Sequence, residues 1–124
     1  MKLRIRGNSI RLRLSQGDLA ALVATGAVEE RVAFGPGSAL IYRLERGEGQ
    51  EARAALTDNR LVVQFPPVQI DAWVGPEAVS MRAEQALDET QSLSLLVEKD
   101  FQCLSPREAE DDSGLFPNPG PGTS

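Results

Sequence analysis

Apolar and charged residues alternate strictly over Leu3-Arg4-Ile5-Arg6 and again over Ser9-Ile10-Arg11-Leu12-Arg13-Leu14, with Gly7-Asn8 between them. Strict alternation is the period of a strand with one buried face. A Gly-Asn pair between two such runs predicts a two-residue hairpin turn. Pairing outward from that turn sets Ile5 against Ile10, Leu3 against Leu12, Arg4 against Arg11 and Lys2 against Arg13. One face of the hairpin is then apolar and the other basic, and a slip by one residue would mix them, so the pattern fixes its own register. Ser15-Gln16-Gly17-Asp18 follows as a capping-box arrangement with Asp in the far position. It predicts a short helix through Leu19, Leu22 and Val23 that stops at Gly26.

The layout recurs. Asn59 stands 51 positions after Asn8, and the same shift lays Leu56 on Ile5, Leu61 on Ile10, Val63 on Leu12 and Phe65 on Leu14. Pro66-Pro67 opens a shorter helical segment through Ile70, Ala72, Trp73 and Val74, halted by Gly75-Pro76. Two more strands follow each helix: Val28 to Phe34 and Ala39 to Glu45 in the first half, Val79 to Ala86 and Ser92 to Glu98 in the second. Here Leu40, Tyr42 and Leu44 correspond to Leu93, Leu95 and Val97.

The expectation is therefore an α+β fold, a tandem strand-strand-helix-strand-strand repeat over about residues 1–46 and 52–98. Long exposed edges are a liability, so the eight strands are expected to form one curved or barrel-like, mostly antiparallel sheet with two short helices over its ends or one face. The expected core is Leu3, Ile5, Ile10, Leu12, Leu14, Leu19, Leu22, Val32, Leu40, Leu44, Leu56, Leu61, Val63, Phe65, Trp73, Leu93, Leu95 and Val97.

Composition narrows the chemistry. The 124 residues are 41% hydrophobic and 25% charged, with no histidine and one cysteine. That removes the usual general base and the commonest metal ligand, and with them Ser-His-Asp and Cys-His machinery and a zinc cluster. Cys103 cannot form an intramolecular disulfide, and without a histidine to activate it the thiol reads as structural or tolerated. No run is long enough for a spanning helix, and the alternating start offers no export signal, so a cytoplasmic protein is expected. The net charge is −5 but unevenly spread: the first thirteen residues hold five cations and no acid. An acidic chain overall is a poor candidate for sequence-independent nucleic-acid binding. Residues 1–104 read as one domain. Residues 105–124 read as an acidic, Pro/Gly-rich tail, extended or disordered, with Glu108, Glu110, Asp111 and Asp112 against Arg107. The tail is either a solubilising terminus or a docking strap in which Leu115 and Phe116 are the anchors.

Arg4, Arg6, Arg11 and Arg13 are the candidate site. Like charges opposite one another on a hairpin are destabilising, so these side chains need an anion nearby. Carboxylates on neighbouring strands, such as Glu29, Glu45, Glu84 or Glu98, are one source; a bound phosphate or carboxylate, which guanidinium forks suit, is the other. Glu29 and Glu30 point to opposite faces of a strand and cannot share a metal or proton. Glu30 falls on the apolar face, which makes it either an acid with a raised pKa or the mark of a bulge or an open barrel mouth, the second being the expectation. The acids at Asp111-Asp112 lack the spacing of a calcium loop. Trp73 and Tyr42 are expected to fill the core. No metal and no cofactor are expected.

The start Met1-Lys2-Leu3-Arg4-Ile5-Arg6-Gly7-Asn8-Ser9-Ile10-Arg11-Leu12-Arg13-Leu14, the segment Val97-Glu98-Lys99-Asp100-Phe101-Gln102-Cys103-Leu104 and the ending Phe116-Pro117-Asn118-Pro119 resemble a family of uncharacterised bacterial proteins with no assigned activity. That resemblance implies that Cys103 and the tail belong to the normal design of the protein. At the level of topology, the repeated unit is similar to triphosphate-tunnel enzymes, although Leu3-Arg4-Ile5-Arg6 stands where those enzymes place alternating glutamates. The expected function is a non-catalytic binding or accessory module that presents a basic hairpin face to a small anion or an acidic protein surface, with neither nucleic acid nor membrane as partner. The alternative is a phosphate-ester or polyphosphate-binding barrel enzyme.

Overall fold

The computed structural model describes residues 1–100. Expectations for Cys103 and for the tail from 105 to 124 lie outside the described residues. Eight strands and two helices follow one another as β1 (Lys2–Arg6), β2 (Ser9–Leu14), α1 (Gln16–Thr25), β3 (Ala27–Gly35), β4 (Ser38–Arg46), β5 (Arg53–Thr57), β6 (Arg60–Phe65), α2 (Pro67–Trp73), β7 (Ser80–Ala86) and β8 (Ser92–Lys99).

The first hairpin has the register its alternation dictates, with Leu3 opposite Leu12, Arg4 opposite Arg11 and Ile5 opposite Ile10. Its turn places Gly7 at φ +56°, while at the second turn both Asp58 (51°) and Asn59 (64°) are left-handed. Those are residues that reach this region at low cost, as tight hairpins require. Helix α1 is capped as its sequence suggests: the Ser15 hydroxyl accepts from the Asp18 N–H at 3.2 Å, and the Ser15 N–H donates to the Asp18 carboxylate at 3.0 Å. Gly26, at φ +89°, ends it by donating to the Leu22 carbonyl at 2.8 Å.

The sheet architecture corrects the expected single barrel-like sheet. Among the described residues there are two four-stranded sheets, ordered β1-β2-β8-β7 and β3-β4-β6-β5, and neither is closed. Nor is the pairing purely antiparallel. At the centre of each sheet a parallel pair joins the two halves of the chain, β2 with β8 and β4 with β6. Exchanging β1 with β5, β2 with β6, β3 with β7 and β4 with β8 converts one strand order into the other. The central registers correspond too: Ile10 faces Leu95 in one sheet as Leu61 faces Tyr42 in the other.

The helices are the crossovers between sheets. Inner residues of both sheets and of both helices form one buried cluster, including Leu12, Leu14, Leu22, Leu44, Val63, Phe65, Ile70, Trp73, Leu95 and Val97. At about 25 cal/mol per Å², each fully buried side chain of this size contributes roughly 1.5–3 kcal/mol. Trp73 also satisfies its indole N–H on the Val79 carbonyl at 3.1 Å. Of the expected core residues, Leu40 is half-buried and not part of this cluster, and three are exposed. Ile5 is 60%, Leu56 69% and Val32 39% exposed. All three lie on edge strands, β1, β5 and β3, which have a strand neighbour on one side only among the described residues.

Candidate functional site

Two seams run between the sheets where their edge strands approach. At the β5–β7 seam a side chain joins the two edges. The Gln85 side chain accepts from the Ala54 N–H at 2.7 Å and donates to the Ala54 carbonyl at 3.3 Å, standing in for a strand neighbour. A pocket of about 670 Å³ beside it is lined by Gly49 to Arg53 and Glu84 to Ala86, and of its charged residues Glu51 and Glu84 outnumber Arg53.

At the β1–β3 seam the chain start makes a clasp. The Met1 amino group lies 2.8 Å from Asp18 and 2.9 Å from Glu30, and the Tyr42 hydroxyl donates to the Met1 carbonyl at 3.0 Å. Burial works against the charge of the amine, but hydrogen bonds to Asp18 and Glu30 outweigh it and hold the group above its ordinary range. Burial likewise opposes the Asp18 carboxylate, and the amine with Ser15 holds it below the usual range. Burial, followed by the charges of Glu30 and Asp18, raises the Tyr42 phenol. Glu30 is thus accounted for without a bulge: it pairs in regular register with Tyr42 and faces the seam, while the register break of β3 lies further on, between Ala33 and Gly35.

Beyond this clasp an open pocket of about 450 Å³ is lined by Met1, Lys2, Leu3, Arg4, Arg11, Arg13 and Tyr42. The structure therefore brings together three of the four candidate arginines, Arg4, Arg11 and Arg13. Arg6 stands apart, exposed beside the hairpin turn and opposite Ser9. Lys2 joins the group, as its register opposite Arg13 requires. Tyr42 was legible only as a core residue. Its place in the pocket depends on two distant strands meeting, and a local pattern carries no signal of that.

The charges here are poorly matched. Glu98 accepts from Arg13 at 3.1 Å and lies 3.8 Å from Arg11, and Asp100 lies 3.4 Å from Lys2. Among the described residues Arg4 and Arg6 have no carboxylate partner. Of the four carboxylates that could have neutralised this face, only Glu98 does so. Glu29 and Glu45 serve the other sheet, binding Arg43 at 3.1 and 2.6 Å, with Arg60 3.4 Å from Glu29. Glu84 accepts instead from the hydroxyls of Ser92 and Ser94. The outer face of the β1-β2-β8-β7 sheet carries Lys2, Arg4, Arg6, Arg11, Arg13 and Arg82 against Glu84 and Glu98. The arrangement can hold an anionic group between guanidinium forks, with Leu3 and Tyr42 offering an apolar floor.

Among the described residues no group of three or more Asp, Glu, Cys or His side chains could hold a metal ion. Nor is any helix there long and apolar enough to cross a membrane. Comparison with curated proteins gave no match, and comparison with solved structures gave none either. One family model, described as a family of unknown function (DUF7009), matches residues 1–120, and the chain belongs to that family.

Proposed function

We propose that this protein is a non-catalytic binding module whose basic hairpin face takes up an anionic group, a phosphate or a carboxylate, from a small ligand or an acidic protein surface. One observation carries the reading. Two cross-strand pairs of like charge, Arg4 with Arg11 and Lys2 with Arg13, border the same pocket, where Glu98 and Asp100 are the nearby carboxylates. Arg4, Arg11 and Arg13 are its binding residues at the pocket, with Lys2 in support and Arg6 extending the basic face toward the turn. The correspondence of strand orders and central registers supports reading the halves as a tandem repeat of which only the first bears the basic face. The second hairpin carries Arg53, Ala55, Val62 and Gln64 in its place.

Thermal unfolding in the presence of pyrophosphate and of a polyglutamate peptide tests the proposal. A ligand at a hundred times its dissociation constant stabilises by about 2.7 kcal/mol, which is visible as a higher Tm. The expected result is a rise with at least one of them that is lost when Arg4 and Arg11 are both replaced by Gln. An unchanged Tm with both overturns the reading. Release of orthophosphate from pyrophosphate during the same titration overturns it in favour of the polyphosphate-processing alternative.

A further inference from the structure

We infer that the open edge of β1 takes up an extended peptide as a further strand, one that alternates acidic and apolar side chains. The inference rests on the anion-binding reading above and names its partner: the acid that comes to lie beside Arg4 is the anionic group.

Among the described residues the two sheets leave four edge strands, β1, β7, β3 and β5. A regular row of unpaired N–H and C=O groups on such an edge is a template for another strand. Strands β5 and β7 are joined to each other, because the Gln85 amide occupies both the N–H and the C=O of Ala54. Strand β3 breaks its register between Ala33 and Gly35. Neither device is present on β1. Its five residues pair with β2 without a register shift and include no proline.

The phase of the hairpin decides which backbone groups of β1 are free. In a two-residue hairpin the flanking residues, here Arg6 and Ser9, exchange both of their bonds, and such pairs alternate along an antiparallel ladder. Arg4 with Arg11 and Lys2 with Arg13 are then the other bonded pairs. The far side of β2 agrees with this phase. There the Asn8 carbonyl accepts from Ser94 at 3.0 Å and the Leu14 carbonyl from Asp100 at 2.8 Å, so the even positions serve β8 and the odd ones serve β1. The N–H and C=O groups of Leu3 and Ile5 therefore point away from β2. The Met1 clasp lies at the start of the strand, and Ile5, near its other end, is 60% exposed.

Side chains select the occupant. Lys2, Arg4 and Arg6 project from one face of β1, and Leu3 and Ile5 from the other. A strand added in register sets acids beside the cations and apolar residues beside Leu3 and Ile5. Unlike charges on neighbouring strands attract and like charges repel. A second copy of β1 sets cation beside cation, so the row that admits an acidic strand turns away the chain's own. Main-chain bonds to Leu3 and Ile5 supply affinity, and the alternate side chains supply specificity.

The test titrates the full chain with three probes: the blocked peptide Glu-Val-Glu-Ile-Glu-Val-Glu, the same peptide N-methylated at every residue, and pyrophosphate. N-methylation keeps the side chains and removes the donors a strand needs. The unmodified peptide is expected to bind about tenfold or more tightly than the methylated one, and to slow amide hydrogen exchange at Leu3 and Ile5 while leaving Arg4 and Arg6 unchanged. In Arg4→Glu with Arg6→Glu, preference is expected to pass to Lys-Val-Lys-Ile-Lys-Val-Lys. Equal binding of the two acidic peptides, protection elsewhere than at Leu3 and Ile5, or an unreversed preference overturns the added strand, while a response to pyrophosphate leaves the anion site standing. No response to any probe overturns both. Slow exchange at Leu3 and Ile5 before any peptide is added shows an edge already occupied, and overturns the inference as well.

Discussion

Arg4 and Glu98 separate site from scaffold at the level of single side chains. Arg4 is exposed, stands opposite Arg11 and has no carboxylate partner among the described residues. Replacing it by Gln should leave stability unchanged or slightly raised in urea unfolding, yet weaken pyrophosphate binding. A matching loss of stability would mean Arg4 serves the scaffold instead. Glu98 predicts the reverse. Glu98→Gln removes the one carboxylate shared by Arg11 and Arg13, and should cost about 0.5–1 kcal/mol while tightening the anion. On the other sheet, hydrogen bonds from Arg43 and then Gln64 hold Glu45 below the usual carboxylate range. The unfolded chain takes up that proton more readily, so the stabilisation is complete above the unfolded value near 4.3 and fades as pH falls through the lower folded value. Stability in urea unfolding should therefore fall from about pH 5 toward about pH 3, and less steeply in Glu45→Gln. Equal slopes would remove Glu45 from the account.

Between neighbouring elements, Gln85 is the side chain to test. Its amide satisfies both the N–H and the C=O of Ala54 and ties the edge of one sheet to the edge of the other. Gln85→Leu leaves a half-buried backbone donor and acceptor without partners, at about 1–3 kcal/mol each if water cannot reach them. Stability within a few tenths of the parent would show that solvent takes over. Elements of this local kind were legible in the chain: the turn residues at 7–8 and 58–59, the Ser15–Asp18 box and Gly26 each state their own geometry within a few positions. The arrangement of hairpins was not. Whether β2 pairs with β8 or closes some other ring depends on residues about 85 positions apart, such as Ile10 and Leu95. Their places on edge strands explain why Ile5, Val32 and Leu56, apolar and correctly phased, are nevertheless wet.

For the molecule as a whole, the net charge of −5 conceals a cationic sheet face whose opposing charge lies largely elsewhere, on the other sheet and in residues 105–124. Anion binding at such a face should fall as ionic strength rises, because the pocket is open and screening reaches about 8 Å at physiological salt. Pyrophosphate affinity that is flat between low and high salt would point to recognition by shape rather than charge. The parallel joints between halves have a further consequence, for how the protein is made. Strand β8, the last of the described strands in chain order, lies between β2 and β7 inside its sheet, against a strand some 85 positions earlier. A growing chain thus carries the inner edge of its first hairpin without its native partner until β8 has been made. Nascent chains arrested before Ser92 should remain open to proteases and holdase chaperones along β2, and acquire resistance abruptly once Leu95 and Val97 have cleared the ribosome.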